Sequence, residues 1–557
     1  MAEENRESLG EILVRKKVID QDILNIALSD YQVKGGKFED VLAQAVFVPE
    51  ETVARALAEK LGIRFVDIRK TEVDIKTAKK FSSDQIPRWG ILPFKEDDRA
   101  VHIIFADPSF DVRVQVERYV RKRFRKEMAA YCAQRSEVEI KISEIYDEFS
   151  YERTVDHYIE EALRYEKQAN MANIAIFPLL ESLIDEAISQ RATDLHFVDD
   201  GISFRLFVRQ DGGFHHRRSL PAPLKQKLSS AVKQKAGMDA GDRIHAQDGH
   251  FSHFFGGNMV NIRVSAIPLV NSGESIVLRI LDETRVAFDL DTLGFFEGHL
   301  RVIKRILEKP YGLILVTGPT GSGKTTTLYS IINYLRPARN SILTIEDPVE
   351  YSLPFVRQVQ VNARAGRVPD KILRAFLRHD PDIILVGEIR DSETAEVTIQ
   401  AAETGHLVLS TLHTNNSPSA LLRLRDLGVS DMSLCYSLHL VISQRLVKRI
   451  CDNCRKEYRL SGFEASYVSE AGFDPDAAFY RGEGCNACKG TGYRGVDIVY
   501  EILAVDEYDY EKIKSAQTAT EVLEFAEEKG YQPMRQNGLK KAIEGITTVR
   551  EVIRTCG

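Results

Sequence analysis

The chain has 557 residues, 43% hydrophobic and 28% charged, a composition that excludes a disordered or fibrous protein. At about 150 residues per domain, this length predicts roughly three to four domains. Lys and Arg number 75 against 82 Asp and Glu, a net charge of −7, so the chain lacks the basic excess of a general nucleic-acid binder.

The polar start Met1-Ala2-Glu3-Glu4-Asn5-Arg6 is unlike a signal peptide, and no run approaches the ~20 apolar residues of a membrane-spanning helix. A soluble, cytoplasmic protein is expected. Residues 1–68 carry a repeat. Leu9-Gly10-Glu11-Ile12-Leu13-Val14 recurs 29 residues later as Phe38-Glu39-Asp40-Val41-Leu42-Ala43. Apolar residues at helical spacing predict two helix pairs, the second helix of each starting at Asp20 and at Pro49-Glu50. A strand-like Ile63 to Ile68 follows. Residues 69–148 read as a small α/β subdomain with strands at Ile91 to Phe94 and Val101 to Phe105. Its basic run Arg118 to Lys126 reads as a solvated helix face, in preference to a contact with an anionic surface. Residues 149–172 are charged and poor in branched aliphatics, and read as a helical linker. An α+β domain is expected over 173–284, with a helix at Ile176 to Ser189. Its strands are placed at Asp194 to Phe197, Ile202 to Val208, His250 to Phe255, Met259 to Ser265 and Ser275 to Leu281. From 285 to 557 a βα rhythm takes over. Buried-strand runs at Gly312 to Val316, Ser341 to Ile345, Ile383 to Val386 and Leu407 to Leu409 predict a parallel sheet covered on both faces.

Gly318-Pro319-Thr320-Gly321-Ser322-Gly323-Lys324-Thr325 fits G-x-x-x-x-G-K-[ST] between a strand and a helix, the context that a phosphate-binding loop requires. Glycines let the backbone turn its N–H groups toward phosphates, and the segment through Thr326 is the nucleotide cradle. Lys324 is assigned to the β- and γ-phosphates and Thr325 to Mg²⁺, with ATP or GTP bound. Downstream, Glu346, Asp347 and Glu350 stand at a strand end. Glu388 closes the run Asp380 to Glu388, where Gly387-Glu388 replaces the usual Walker B aspartate. His406 and His413 flank a further buried strand and suggest a γ-phosphate sensor. Cys451-x-x-Cys454 and Cys485-x-x-Cys488 present four thiolates to one tetrahedral Zn²⁺, a closed structural site; an iron–sulfur or redox pair is the alternative.

In this order, Gly318 to Thr325, Ile345 to Glu350, Val386-Gly387-Glu388-Ile389-Arg390-Asp391 and Thr404 to Asn415 resemble the secretion ATPase superfamily, the hexameric motors of type II secretion and type IV pilus machines. Ala192-Thr193-Asp194-Leu195-His196, Gln247-Asp248-Gly249, Ile262 to Ser265 and Val277 to Ile280 extend the resemblance upstream. It implies a RecA-like ATPase core preceded by a PAS-like α+β domain, an N-terminal helical repeat domain with its α/β subdomain, and a zinc knuckle insertion at 450–500. It also implies a Mg²⁺-dependent ATPase with Glu350 as general base, and with Arg263, Arg279 and, more weakly, Arg243 reaching the ATP of a neighbouring subunit. Arg243-Ile244-His245-Ala246-Gln247-Asp248-Gly249-His250 departs from the family pattern by losing arginines at Ile244 and His250. Arg367 to Lys371 also departs from the usual Thr-Phe run.

Assembly ATPases of the family often carry the four-cysteine insertion. The N-terminal repeat resembles family domains, some of which bind cyclic di-GMP. However, Ser8, Lys37, Tyr31 and Lys60 stand where that pattern wants Arg and Gln. Protein docking is expected there in place of cyclic di-GMP. The expected function is a homo-hexameric motor docked peripherally at the cytoplasmic face of the inner membrane through a platform protein. The alternatives are a nucleotide-gated scaffold with little hydrolysis, or a DNA-translocating ATPase, which the acidic balance disfavours.

Overall fold

A computed structural model describes residues 7–34, 38, 41–42, 48–68, 71–82, 85–146, 148–166, 176–190, 192–199, 204–210, 213–255, 258–270, 273–281, 288–335, 338–488 and 490–557. They form two compact units, Met1–Val286 and Ala287–Gly557. No helix among the described residues is long and apolar enough to cross a membrane.

The opening repeat of the first unit folds as helices. Ser8 caps α1 (Leu9–Arg15): its hydroxyl accepts from the Glu11 N–H, and the Glu11 carboxylate accepts from the Ser8 N–H. Asp20 accepts from the Ile23 N–H at 3.0 Å at the head of α2 (Gln21–Lys34). α3 (Glu50–Leu61) ends at Gly62. Leu9, Ile12, Leu13, Leu24, Leu42 and Val53 share one buried cluster. Most of the helix expected over Phe38 to Phe47 lies outside the described residues; Phe38, Val41 and Leu42 are helical.

The strand expected over Ile63 to Ile68 is shorter, β1 (Arg64–Phe65), the edge of a four-stranded sheet of order β1-β4-β3-β2. β2 (Ile91–Glu96) and β3 (Ala100–Phe105) pair as an antiparallel hairpin. β4 (Glu127–Cys132), parallel to β3, was missed because Glu-Met-Ala-Ala-Tyr-Cys has no β-branched residue. α4 (Phe110–Phe124) turns Val116 and Val120 inward and leaves Arg118, Arg121, Lys122 and Arg123 exposed.

The segment expected to act as a linker does more than connect. α5 (Glu148–Glu166) buries Val155 and Ala162 completely in one cluster with α6 (Ile176–Ser189), so it is core packing; 167–172 lie outside the described residues. That cluster includes the inner face of an antiparallel sheet of order β7-β6-β5-β10-β9-β8. Its strands are β5 (Asp194–Asp199), β6 (Phe204–Gln210), β7 (Gly213–Leu220), β8 (Gln247–Phe255), β9 (Asn258–Pro268) and β10 (Glu274–Leu281). β7 buries only Leu220, which leaves no apolar alternation for sequence reading to find.

The second unit holds a seven-stranded sheet of order β13-β12-β14-β15-β11-β16-β19. β11 (Gly312–Thr317), β12 (Ile342–Glu346), β13 (Val356–Gln360), β14 (Ile383–Val386), β15 (Leu407–Leu412) and β16 (Leu438–Ile450) run parallel. Four of them, β11, β12, β14 and β15, are buried along their whole length, as in a sheet sandwiched between helices. The small hairpin β17 (Arg455–Tyr458) and β18 (Phe479–Gly482) precedes β19 (Tyr493–Ala504), which returns antiparallel along β16.

Candidate nucleotide site and four-cysteine centre

Parallel strands end together, so the segments leaving β11, β12, β14 and β15 meet at one edge of the second sheet. Gly318 to Gly323 leads from β11 into α7 (Lys324–Tyr334). Gly318 adopts φ +140°, and a Cβ there would strike the Gln444 carbonyl oxygen and the Ser322 hydroxyl. The chain can turn this tightly only with glycine at that position. Pro319, Thr320 and Gly321 are exposed, and Gly323, Lys324, Thr325 and Thr326 are half-buried at the helix N-terminus. There the free N–H groups and the helix dipole favour an anion. The Lys324 ammonium donates to the carbonyls of Gly318 (2.8 Å) and Pro319 (3.1 Å). Burial lowers its pKa, and the Glu388 carboxylate opposes that shift.

Gln444, on β16, was not anticipated as part of this site. Its side chain is wholly buried, donates to the Ser322 carbonyl at 2.9 Å and accepts from the Thr327 hydroxyl at 2.8 Å. It thus ties the loop and the helix to the neighbouring strand. The available signal was an amide inside the apolar run Leu438 to Val447, because a buried amide must find partners.

Glu388 follows β14 and pairs with Arg390 Nε at 2.8 Å and with His413 Nε2 at 3.0 Å. Arg390 also lies 3.7 Å from Asp347, and its pKa is raised by its bond to Glu388. Glu388, Arg390, His413 and Asp347 therefore form one polar cluster at the strand ends, with Lys324 close enough to feel the Glu388 charge. His406 is a correction: it precedes β15 at the opposite end, where its Nδ1–H donates to the Ala401 carbonyl at 2.9 Å. Six residues of strand separate the two histidines, roughly 20 Å at 3.3 Å per residue. It cannot sense a phosphate at the loop.

Glu346 is buried at the end of β12 and accepts from the Thr344 hydroxyl at 2.6 Å, the Gln358 amide at 3.1 Å and the Tyr329 hydroxyl. Both its oxygens are taken up in these structural bonds. Glu350 is half-buried further along the same segment, next to Tyr351, whose ring centroid lies 6.3 Å from that of Tyr329. The arginines Arg243, Arg263 and Arg279 lie in the first unit. Arg263 and Arg279 are cross-strand partners on β9 and β10; Arg279 Nε donates to Asp194 at 3.0 Å, and Arg243 is exposed before β8.

Cys451, Cys454, Cys485 and Cys488 place all four sulfurs within 4.8 Å of one another. Three pairs, Cys451–Cys485, Cys454–Cys488 and Cys485–Cys488, stand 3.8 Å apart. Thiolates at about 2.3 Å from a tetrahedral zinc would be separated by about that distance, so the four residues fit the ion. The N–H groups of Cys485 and Gly492 each donate to the Cys488 sulfur at 3.2 Å, which favours a thiolate there. Gly482 and Gly492 pack backbone to backbone, where neither admits a Cβ.

Residues 169–554 match the family described as "Type II/IV secretion system protein", and residues 61–150 match the "MshEN domain". The chain is 35% identical to the "Type IV pilus assembly ATPase PilB" of Thermus thermophilus over 93% of its own length but only 59% of that relative's. It is 32% identical to the protein of the same name from Myxococcus xanthus over 98% of each chain. To the "Type II secretion system protein E" of Pseudomonas aeruginosa it is 41% identical, over 68% of this chain and 75% of the relative. Among solved structures, the Legionella pneumophila ATPase DotB shares the fold at TM-score 0.50 and 22% identity, covering 67% of this chain and 94% of DotB. The chain, a multidomain α/β protein, belongs to the type II/IV secretion system protein family of ATPases.

Proposed function

We propose that this chain is an ATP-hydrolysing motor that works as a homo-hexameric ring at the cytoplasmic face of the inner membrane, driving type IV pilus assembly or type II secretion. The observation that carries the proposal is the convergence of the phosphate-binding loop, the Glu388–His413 pair and the Glu350 segment at one sheet edge. The names of the relatives support the machine class. Domain by domain, we read a RecA-like core over 285–557, a PAS-like domain over 173–284 and docking modules over 1–148. The MshEN match at 61–150 weighs toward cyclic di-GMP, whereas Ser8, Lys37, Tyr31 and Lys60, which stand where its binding pattern wants Arg and Gln, favour a protein partner.

In the nucleotide site, the loop N–H groups and Lys324 bind and orient the phosphates. Thr325 and Glu388 would hold Mg²⁺, which supplies charge neutralisation to the phosphates when bound. Glu350 takes a proton from the attacking water, and His413, fixed by Glu388, reads the terminal phosphate. Arg263, Arg279 and Arg243 serve a neighbouring subunit's site. Cys451, Cys454, Cys485 and Cys488 would hold Zn²⁺, which supplies a structural cross-link when bound. The test is turnover by the purified full chain against Lys324→Ala. Mg²⁺-dependent hydrolysis that rises with ring formation and vanishes in Lys324→Ala is expected. Tight ATP binding with turnover equal to that control would leave only the scaffold reading.

A further inference from the structure

Tyr329 lies on α7, five residues beyond Lys324, and is 1% exposed, among the largest wholly buried side chains. A buried phenol needs one partner for its hydroxyl. This hydroxyl has two: it donates to Glu346 and accepts from the Gln358 amide at 3.5 Å. Gln358 also donates to Glu346 at 3.1 Å, so phenol, carboxylate and amide close one hydrogen-bonded triangle. Its ring is fixed as well, with centroids 5.3 Å from Phe288 and 6.3 Å from Tyr351, while Phe288 and Tyr351 lie 5.6 Å apart. The same Gln358 amide also holds the segment directly, donating to the Tyr351 carbonyl at 3.1 Å.

We infer that Tyr329 is a positioning residue for Glu350: through its hydroxyl bonds to Glu346 and Gln358, and its ring contact with Tyr351, it joins the helix headed by Lys324 to the segment that carries the general base. One rigid side chain thereby sets the register between the phosphate cradle and the carboxylate that deprotonates water. Displacement of a reacting group by about 1 Å is enough to lower a rate by about 10²-fold. The inference rests on the reading of Glu350 as base.

Tyr329→Phe keeps the ring and its packing and removes only the hydroxyl. In the full-length ring, Mg·ATP affinity should stay within about two-fold while kcat falls about ten-fold, the effect of one lost hydrogen bond acting through position. In a Glu350→Gln background the same change should have no further effect on the residual rate. A Glu350→Gln enzyme at wild-type rate overturns the base assignment itself. An inactive Glu350→Gln enzyme alongside an unimpaired Tyr329→Phe enzyme overturns the positioning role alone. Parallel losses of melting temperature, ATP affinity and rate in both backgrounds would reduce Tyr329 to a packing residue and also overturn it. Gln358→Met removes the other hold on Tyr351 and should lower kcat in the same selective way; it serves as the test if Tyr329→Phe does not fold.

Discussion

Gln444→Leu is a sharp probe of the nucleotide site, because it preserves volume and removes two hydrogen bonds from a wholly buried position. The Ser322 carbonyl loses its 2.9 Å donor, and the Thr327 hydroxyl loses its 2.8 Å acceptor. A buried carbonyl left without a partner costs about 2 kcal/mol. The threonine costs less, about 1 kcal/mol, since its hydroxyl can turn back to a carbonyl of its own helix. The sum is about 3 kcal/mol. If all of it falls on the loop, ATP affinity drops by about 10²-fold, at ten-fold per 1.4 kcal/mol. If it is shared with the fold, urea unfolding reports the remainder. Titration calorimetry with a slowly hydrolysed ATP analogue, run beside urea melts, measures both parts. An affinity within about three-fold and an unfolding free energy within about 0.5 kcal/mol of wild type would refute the claim that Gln444 holds the loop.

Glu350→Gln should keep Mg·ATP binding within a few-fold and cut turnover by ~10²–10⁴, as measured by phosphate release. Glu388→Gln should also lower turnover, but with an altered Mg²⁺ dependence in the same assay; His413→Ala should lower it less and weaken the preference for ATP over ADP in competition binding. Cys454→Ser should abolish the expected one zinc per chain in metal analysis and speed hydrogen exchange over 451–500 while ATP affinity holds. Acid should weaken the second unit. His439, whose Nε2–H donates to the Tyr311 carbonyl at 3.1 Å, and His299, bonded to the Tyr500 hydroxyl at 2.9 Å, have pKa values lowered by burial from 6.5. The unfolded chain therefore binds protons that the folded chain refuses, and the stability present above pH 6.5 is lost as pH falls through the folded values. His439→Gln should flatten that dependence in urea melts between about pH 5 and 7.5.

The candidate phosphate-binding loop was legible because its pattern is local: the residues proposed to cradle phosphate are adjacent in sequence, and a strand and a helix flank them. Gln444 and Tyr329 were not legible, since what they do depends on partners brought in by the sheet. Gln444 meets Thr327 across 117 positions, and Tyr329 meets Glu346 across 17. His406 and His413 looked equivalent as flanks of one strand; the parallel direction of β15 sends one to the site and the other away. The charged face of α5 concealed Val155 and Ala162, which pack inward at helical spacing.

The strand order bears on how this chain comes off the ribosome. β11 pairs with β15 and β16, and the register Gly312 to Leu407 and Thr317 to Ser443 spans 95 and 126 residues. At about 5–20 residues per second, the nascent strand β11 waits roughly 6–25 s for both neighbours. During that interval a strand destined to be wholly buried has at least one open edge, the condition under which chains stick to one another. Truncations that end before β16 should therefore accumulate as aggregates, while chains extended past it become soluble. Synthesis as far as Ile450 thus governs solubility, before the second cysteine pair of the four-cysteine fold has been made.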